Sequence, residues 1–151
     1  MPGDEQAPEP ESDASPYFRA MFNIMYTGHW LTDGLNRVLK PFGLSEPQYN
    51  VLRLLEDASP EPLAQQDIQA GMIQKSSNVS RLIDKLETRG LVSRAIRAEN
   101  RRKMDITLTP EGRRFLKKAS RKVLEFHAEI DSNVSATEAL KIARLLKKFR
   151  G

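Results

Sequence analysis

Serines, arginines and lysines crowd one stretch of this sequence, Lys75 to Lys103, and their spacing decides what chemistry is open to them. Nine bases (Lys75, Arg81, Lys85, Arg89, Arg94, Arg97, Arg101, Arg102 and Lys103) stand there against three acids (Asp84, Glu87 and Glu99), an excess of +6 in 29 residues. Side chains of this kind donate hydrogen bonds to an anionic surface, and their clustering is the electrostatic signature of a polyanion site. The plainer alternative, a solvated charged face, loses weight because the charge coincides with a specific order of elements.

That order begins with a helix. Val79, Leu82, Ile83 and Leu86 recur at i, i+3, i+4 and i+7, which makes one apolar stripe. Ser77, Ser80, Arg81, Asp84, Lys85 and Thr88 occupy the other face, and every one of them can hydrogen-bond. Gly90 then stops the helix, where a left-handed residue is needed. Two β-like runs follow, Leu91–Ile96 and Met104–Leu108, joined by a basic loop of Arg97, Ala98, Glu99, Asn100, Arg101, Arg102 and Lys103. A polar-faced helix followed by a basic hairpin is the layout of a winged helix-turn-helix. The helix would enter a DNA major groove, and the loop would reach the flanking backbone or minor groove.

The upstream chain supplies the elements that must position this helix. Ser45 and Gln48 form a capping box, Pro47 suits a first turn, and Leu44 with Tyr49 makes a hydrophobic staple. The helix they open runs to about Asp57, with Tyr49, Leu52 and Leu55 inward. A loop at Ser59–Pro62 and a short helix from Gln65 to about Met72 complete the helix-turn-helix, Ile68 and Met72 facing the core. Downstream, Thr109, Pro110 and Glu111 open a helix to about Asp131, and a second capping box at Ser135 and Glu138 opens the last one. The stretch from Tyr17 to Lys40 is helical and rich in large apolar side chains, ending at Pro41 and Gly43.

At 151 residues the chain is read as one domain preceded by a tail. Residues 1–16 form an acidic, proline-rich segment expected to be disordered, and residues 17–151 one folded unit. Within that unit, 41–109 is the winged helix-turn-helix. Helices at 17–40 and 110–151 form a second layer, most economically a dimer interface. The tail holds five acids and no base, so the overall +4 becomes +9 for residues 17–151. There is no cysteine, no 18-residue apolar run and no secretory leader, so a cytoplasmic location without a membrane partner is expected, nucleoid-associated when on DNA. No Gly-rich phosphate loop, nucleophile elbow or HExxH pattern occurs, so the chain is not read as an enzyme, and no cofactor is expected. Two isolated histidines, His29 and His127, do not make a dedicated metal site, and none is expected.

From about Pro41 to Gly112 the sequence resembles the bacterial multiple-antibiotic-resistance regulator (MarR) family of winged-helix repressors. The matching segments are GLSEPQYNVLRLLE, PLAQQDIQAGM, SSNVSRLIDKLETRGLVSR, the wing ENRRK and ITLTPEG. The resemblance implies a homodimer whose terminal helices form the dimer lobe, bound to a pseudo-palindromic operator. It places Ser76, Ser77, Asn78, Ser80 and Arg81 where the family's recognition helix meets bases and phosphates; Lys85 lies on the same face. Arg81 is the leading base-contact candidate, because arginine can be bidentate to guanine. Arg102 matches the wing arginine that enters the minor groove, with Arg97, Arg101 and Lys103 beside it. Asn100 stands where the family usually has Asp, so the wing arginine would be held by a neutral bond unless Glu99 substitutes.

Many members of that family bind small aromatic acids between the dimer and DNA-binding lobes, and binding releases DNA. Tyr26, His29, Trp30, Phe42 and Tyr49 either line such an effector cleft or are ordinary core and interface residues. Arg53 would pair with a ligand carboxylate or with Glu56 or Asp57. Two other functions remain open at this level: a winged-helix module that binds protein, and a non-specific architectural DNA binder.

Overall fold

The computed structural model describes residues 14–75, 78–97, 100–131 and 133–151, and for 97, 100–103 and 131 its backbone only. The expected tail, residues 1–16, therefore falls mostly outside the described residues. Its last part does not: the Ser15 hydroxyl accepts from the Phe18 N–H at 3.2 Å and caps α1, Pro16–Leu39. One turn of 3-10 helix, Lys40–Phe42, carries the chain into α2, Glu46–Ala58. There the capping box forms as expected: Ser45 accepts from the Gln48 N–H, and the Gln48 side chain accepts from the Ser45 N–H at 2.9 Å.

α3 is Gln65–Gly71 and α4 is Val79–Thr88. Because Ala64 has no capping oxygen, the Asp67 carboxylate supplies the start of α3 by accepting from the Ala64 N–H at 3.0 Å. Gly90 ends α4 at φ +68°, a backbone state that a side chain would strain. β1, Val92–Arg97, and β2, Asn100–Leu108, pair antiparallel from Val92 opposite Leu108 to Ile96 opposite Met104. α5, Pro110–Asp131, and α6, Ala136–Arg150, close the chain. Thr109 joins α5 to the end of α4, accepting from the Gly112 N–H at 2.9 Å and donating to the Gly90 carbonyl at 2.7 Å. Among the described residues, no helix is long and apolar enough to cross a membrane.

The core lies inside the winged helix. Val51, Leu52 and Leu55 of α2, Ile68 and Met72 around α3, and Val79, Ile83 and Leu86 of α4 are buried with Ile106 of β2 and Leu116 of α5. The base of the hairpin is also stitched to the segment before α3. Leu63 and Ile106 exchange backbone hydrogen bonds at 3.1 and 2.9 Å, a one-residue third strand.

Two expectations change. β2 begins at Asn100, so residues 100–103, read above as loop, have strand backbone. The register shifts between Ile96 and Arg97, where Arg97 pairs with Asn100 and residues 101–103 form an irregularity. Asn100, Arg101, Arg102 and Lys103 are all polar or charged, so no apolar alternation marks them as strand in the sequence. α1 is also one helix in spite of Gly28 and Gly34. At Gly34 it crosses α5 so closely that a Cβ would stand 2.4 Å from the Phe126 ring.

Candidate nucleic-acid interface

α4 is buried on one side only. Val79, Ile83 and Leu86 are fully inside, whereas Asn78, Ser80, Arg81, Asp84, Lys85 and Thr88 are exposed. Asn78 is the N-cap: its side-chain oxygen accepts from the Arg81 N–H at 3.2 Å, which fixes the helix start. Thr88 donates to the Asp84 carbonyl at 2.8 Å.

The two acids of α4 are claimed from β1. Arg94 pairs through Nη1 with Glu87 at 2.9 Å and through Nη2 with Asp84. Arg81 and Lys85 have no partner among the described residues. The arrangement turns the negative charge of the helix toward the hairpin and leaves its positive charge to solvent, which suits a phosphate-bearing ligand.

Three of the nine bases counted between residues 75 and 103 thus work inside the molecule. Besides Arg94, Lys75 donates to the Ala70 carbonyl, and Arg89 donates to the carbonyls of Phe42 and Gly43 at 2.9 and 2.8 Å. Sequence reasoning could not see this, since an internal arginine and a phosphate-binding arginine look alike in a list of residues. Of the other expected contact residues, Ser76 and Ser77 lie outside the described residues, as do Ala98 and Glu99 of the loop. Arg97, Asn100, Arg101, Arg102 and Lys103 lie on the ribbon, their backbone alone described.

The six residues expected around an effector are distributed as follows over two clefts among the described residues. A cleft of about 500 Å³ between α1 and α5 is walled by Trp30, Val38, Pro41, Phe42 and Phe126, with Arg37, Lys122, Glu125 and Glu129 at its edge. A second of about 930 Å³ lies between α2 and α5 and includes Arg53, Glu56, Arg113, Lys117 and Arg121. Trp30 and Phe42 border the first and Arg53 the second. The Tyr49 hydroxyl hydrogen-bonds Ser120, which lines the second, at 3.1 Å. Tyr26 instead stacks on Phe22, and His29 meets Asp33 at 3.2 Å. Arg53 meets Asp57 at 3.2 Å. Glu125 borders both clefts; its hydrogen bond from Lys122 at 2.6 Å, with Arg121 nearby, holds its carboxyl below the ordinary glutamate range.

Comparison with known proteins bears on this geometry directly. The MarR family's sequence profile matches residues 44–104. A MarR transcription factor from Planctomyces limnophilus is 31% identical, and the similarity covers 89% of this chain and 97% of that one at a TM-score of 0.69. The chain belongs to the MarR family. The HTH-type transcriptional regulator YdgJ of Bacillus subtilis is 31% identical over 108 residues, 72% of this MarR-family chain and 65% of the relative, so the match spans just under two thirds of that protein. CouR from Rhodococcus jostii RHA1, solved with p-coumaroyl-CoA bound, is 28% identical over 86% of this chain and 90% of its own, with a TM-score of 0.72. As a MarR-family chain it is grouped with transcriptional regulators and not with enzymes, and its mainly helical fold with a hairpin wing is theirs.

Proposed function

We propose that this chain is a homodimeric, sequence-specific repressor that binds a two-fold-symmetric double-stranded operator and leaves it when a small aromatic or aromatic-acyl ligand occupies the cleft between α1 and α5. The observation that carries the DNA reading is the outer face of α4, where the side chains of Arg81 and Lys85 have no partner among the described residues while Arg94 pairs with both acids. Arg81 reads a base edge, Ser80 and Lys85 meet phosphates, and Arg102 with its neighbours on the ribbon reaches the flanking minor groove.

Dimerisation is supported by apolar side chains left uncovered on the outer helices. Tyr17, Phe18, Met21 and Met25 on α1 and Leu140, Ile142, Leu145 and Phe149 on α6 are all exposed. A two-fold pairing of these faces would present the two α4 helices to successive major grooves, about 34–36 Å apart. The α1–α5 cleft is of the size that takes a small ligand. Its aromatic walls fit a planar ring, and Arg37 or Lys122 fits a carboxylate; the ligand of CouR supports an aromatic acyl group.

The test is a titration against the DNA upstream of the chain's own gene, with random duplex as competitor. A specific repressor prefers its site by about 10³ or more. Equal affinity for random duplex would replace this reading with an architectural one, and no binding at low salt would replace it with a protein-binding module. Sedimentation should give twice the 17.1 kDa chain mass.

A further inference from the structure

The C-terminal end of α4 and the turn that follows α3 both return to the same short piece of chain, residues 36–46. At the end of α4, Arg89, the residue that closes the helix, sends one guanidinium nitrogen to the Gly43 carbonyl at 2.8 Å and the other to the Phe42 carbonyl at 2.9 Å. The same guanidinium sits over the Phe115 ring of α5, 5.1 Å from its centre, and Phe115 meets Phe42 edge-on at 5.9 Å. In the turn before α4, the Gln74 side-chain amide donates to the Glu46 carboxylate at 2.9 Å. Glu46 in turn is bound through its backbone N–H to the Asn36 side chain of α1 at 3.1 Å.

Neither tie is an ordinary surface contact. A fork that satisfies two adjacent carbonyls while stacking on an aromatic ring is geometry that guanidinium has and ammonium lacks. Glu46 is only 6% exposed, and a carboxylate so buried is costly unless its hydrogen bonds hold it in place. The helix macrodipole at the first position of α2 offsets part of that cost, and Gln74 supplies the donor.

We propose that Arg89 and Glu46 are positioning residues for operator binding: Arg89 fixes the C-terminal end of the recognition helix, and Glu46 the turn between α3 and that helix, against the α1–α2 junction, and so they set where α4 stands relative to α1. In a dimer built on α1, that placement determines the separation of the two recognition helices. The spacing consequence rests on the DNA-binding dimer proposed above, whereas the anchoring of α4 does not. The junction also borders the α1–α5 cleft through Arg37, Val38, Pro41 and Phe42, and Phe42 both lines that cleft and accepts from Arg89.

The experiment compares the full-length chain with Arg89→Lys, Arg89→Gln, Glu46→Ala and Glu46→Gln. Amide hydrogen exchange, read without DNA, should rise about tenfold across residues 79–88 in Arg89→Lys and Glu46→Ala, with the 136–150 segment unchanged. Glu46→Gln keeps an acceptor for Gln74 and should restore wild-type protection. Operator titrations then use the natural site and one with a base pair inserted between half-sites, which moves them about 3.4 Å apart and about a tenth of a turn around. Wild type should discriminate strongly between the two. Arg89→Lys and Glu46→Ala should lose about tenfold of that discrimination with an unaltered salt slope, because no phosphate contact is removed. A salt slope lowered by about one in the charge-removing Arg89→Gln variant, or α4 protection unchanged in both disruptive variants, overturns the proposal. Should wild type bind no DNA, the function proposed above fails, and the exchange result alone decides this inference.

Discussion

The winged helix and the outer helices are built from similar proportions of apolar residues and reach opposite ends. In the winged helix, the stripe of α4 meets α2, α3 and the hairpin, and Leu52, Ile68 and Ile83 are sealed from water. In α6, no residue is buried, and Leu145 and Phe149 are 52% and 50% exposed. One set is satisfied within a single chain and the other is not. Among the described residues little packs on this apolar face, which is the surface that the proposed dimer would cover.

The contrast breaks most sharply under truncation of buried and exposed leucine-sized side chains. Ile83→Ala should cost about 2–5 kcal/mol of stability at any protein concentration. Leu145→Ala should cost under about 0.5 kcal/mol within the protomer, yet make the melting temperature concentration-dependent by weakening self-association. Calorimetry at two concentrations, with sedimentation, separates them. Equal and concentration-independent losses would mean that α6 is packed within the protomer.

The DNA-facing side offers finer tests. Arg81→Ala should cost about 1–3 kcal/mol on the operator and relax preference at one base pair, measured by titration of single-base variants. Arg102→Ala should weaken binding to all sequences alike and lower the salt slope by about one. Arg94→Ala acts without touching DNA. Asp84 and Glu87 lose their partner, so affinity should fall by about 1 kcal/mol, more at low salt than at high.

The smallest effect concerns Glu46. Burial raises its pKa above the ordinary glutamate value. The folded state therefore favours the protonated form, and wild type gains stability as pH falls through the raised pKa toward the unfolded value. Glu46→Gln lacks that titration. Its stability relative to wild type should be highest at neutral pH and decline on acidification, read from urea midpoints. A gap independent of pH would show that burial does not perturb this carboxyl.

What was legible in the sequence was local. The capping boxes at Ser45 and Ser135, the stop at Gly90 and the apolar stripe of α4 are all written within a few residues, and all are present in the structure. What was illegible depends on partners far away in sequence. Nothing near Arg89 announces that its guanidinium will close on carbonyls 46 and 47 residues upstream, or that Arg94 will turn back onto α4. The β2 start at Asn100 escaped for a different reason: Asn100, Arg101, Arg102 and Lys103 carry no apolar alternation to read. Which of the six aromatic and polar residues border a cleft was not legible either: Trp30 and Phe42 line the cleft between α1 and α5 and Arg53 the one between α2 and α5, a division set by helix packing far away in sequence.

The single bridge between Leu63 and Ile106 has a consequence for how the molecule comes apart. It closes a loop that contains α3, α4 and all of β1, and its closure holds only while Ile106 stays packed in the core with α2, α3 and α4. Hydrogen exchange is expected to show α3, α4 and the hairpin opening together as one unit. The exposed face of α4 and the ribbon beside it would then be lost together and not one at a time.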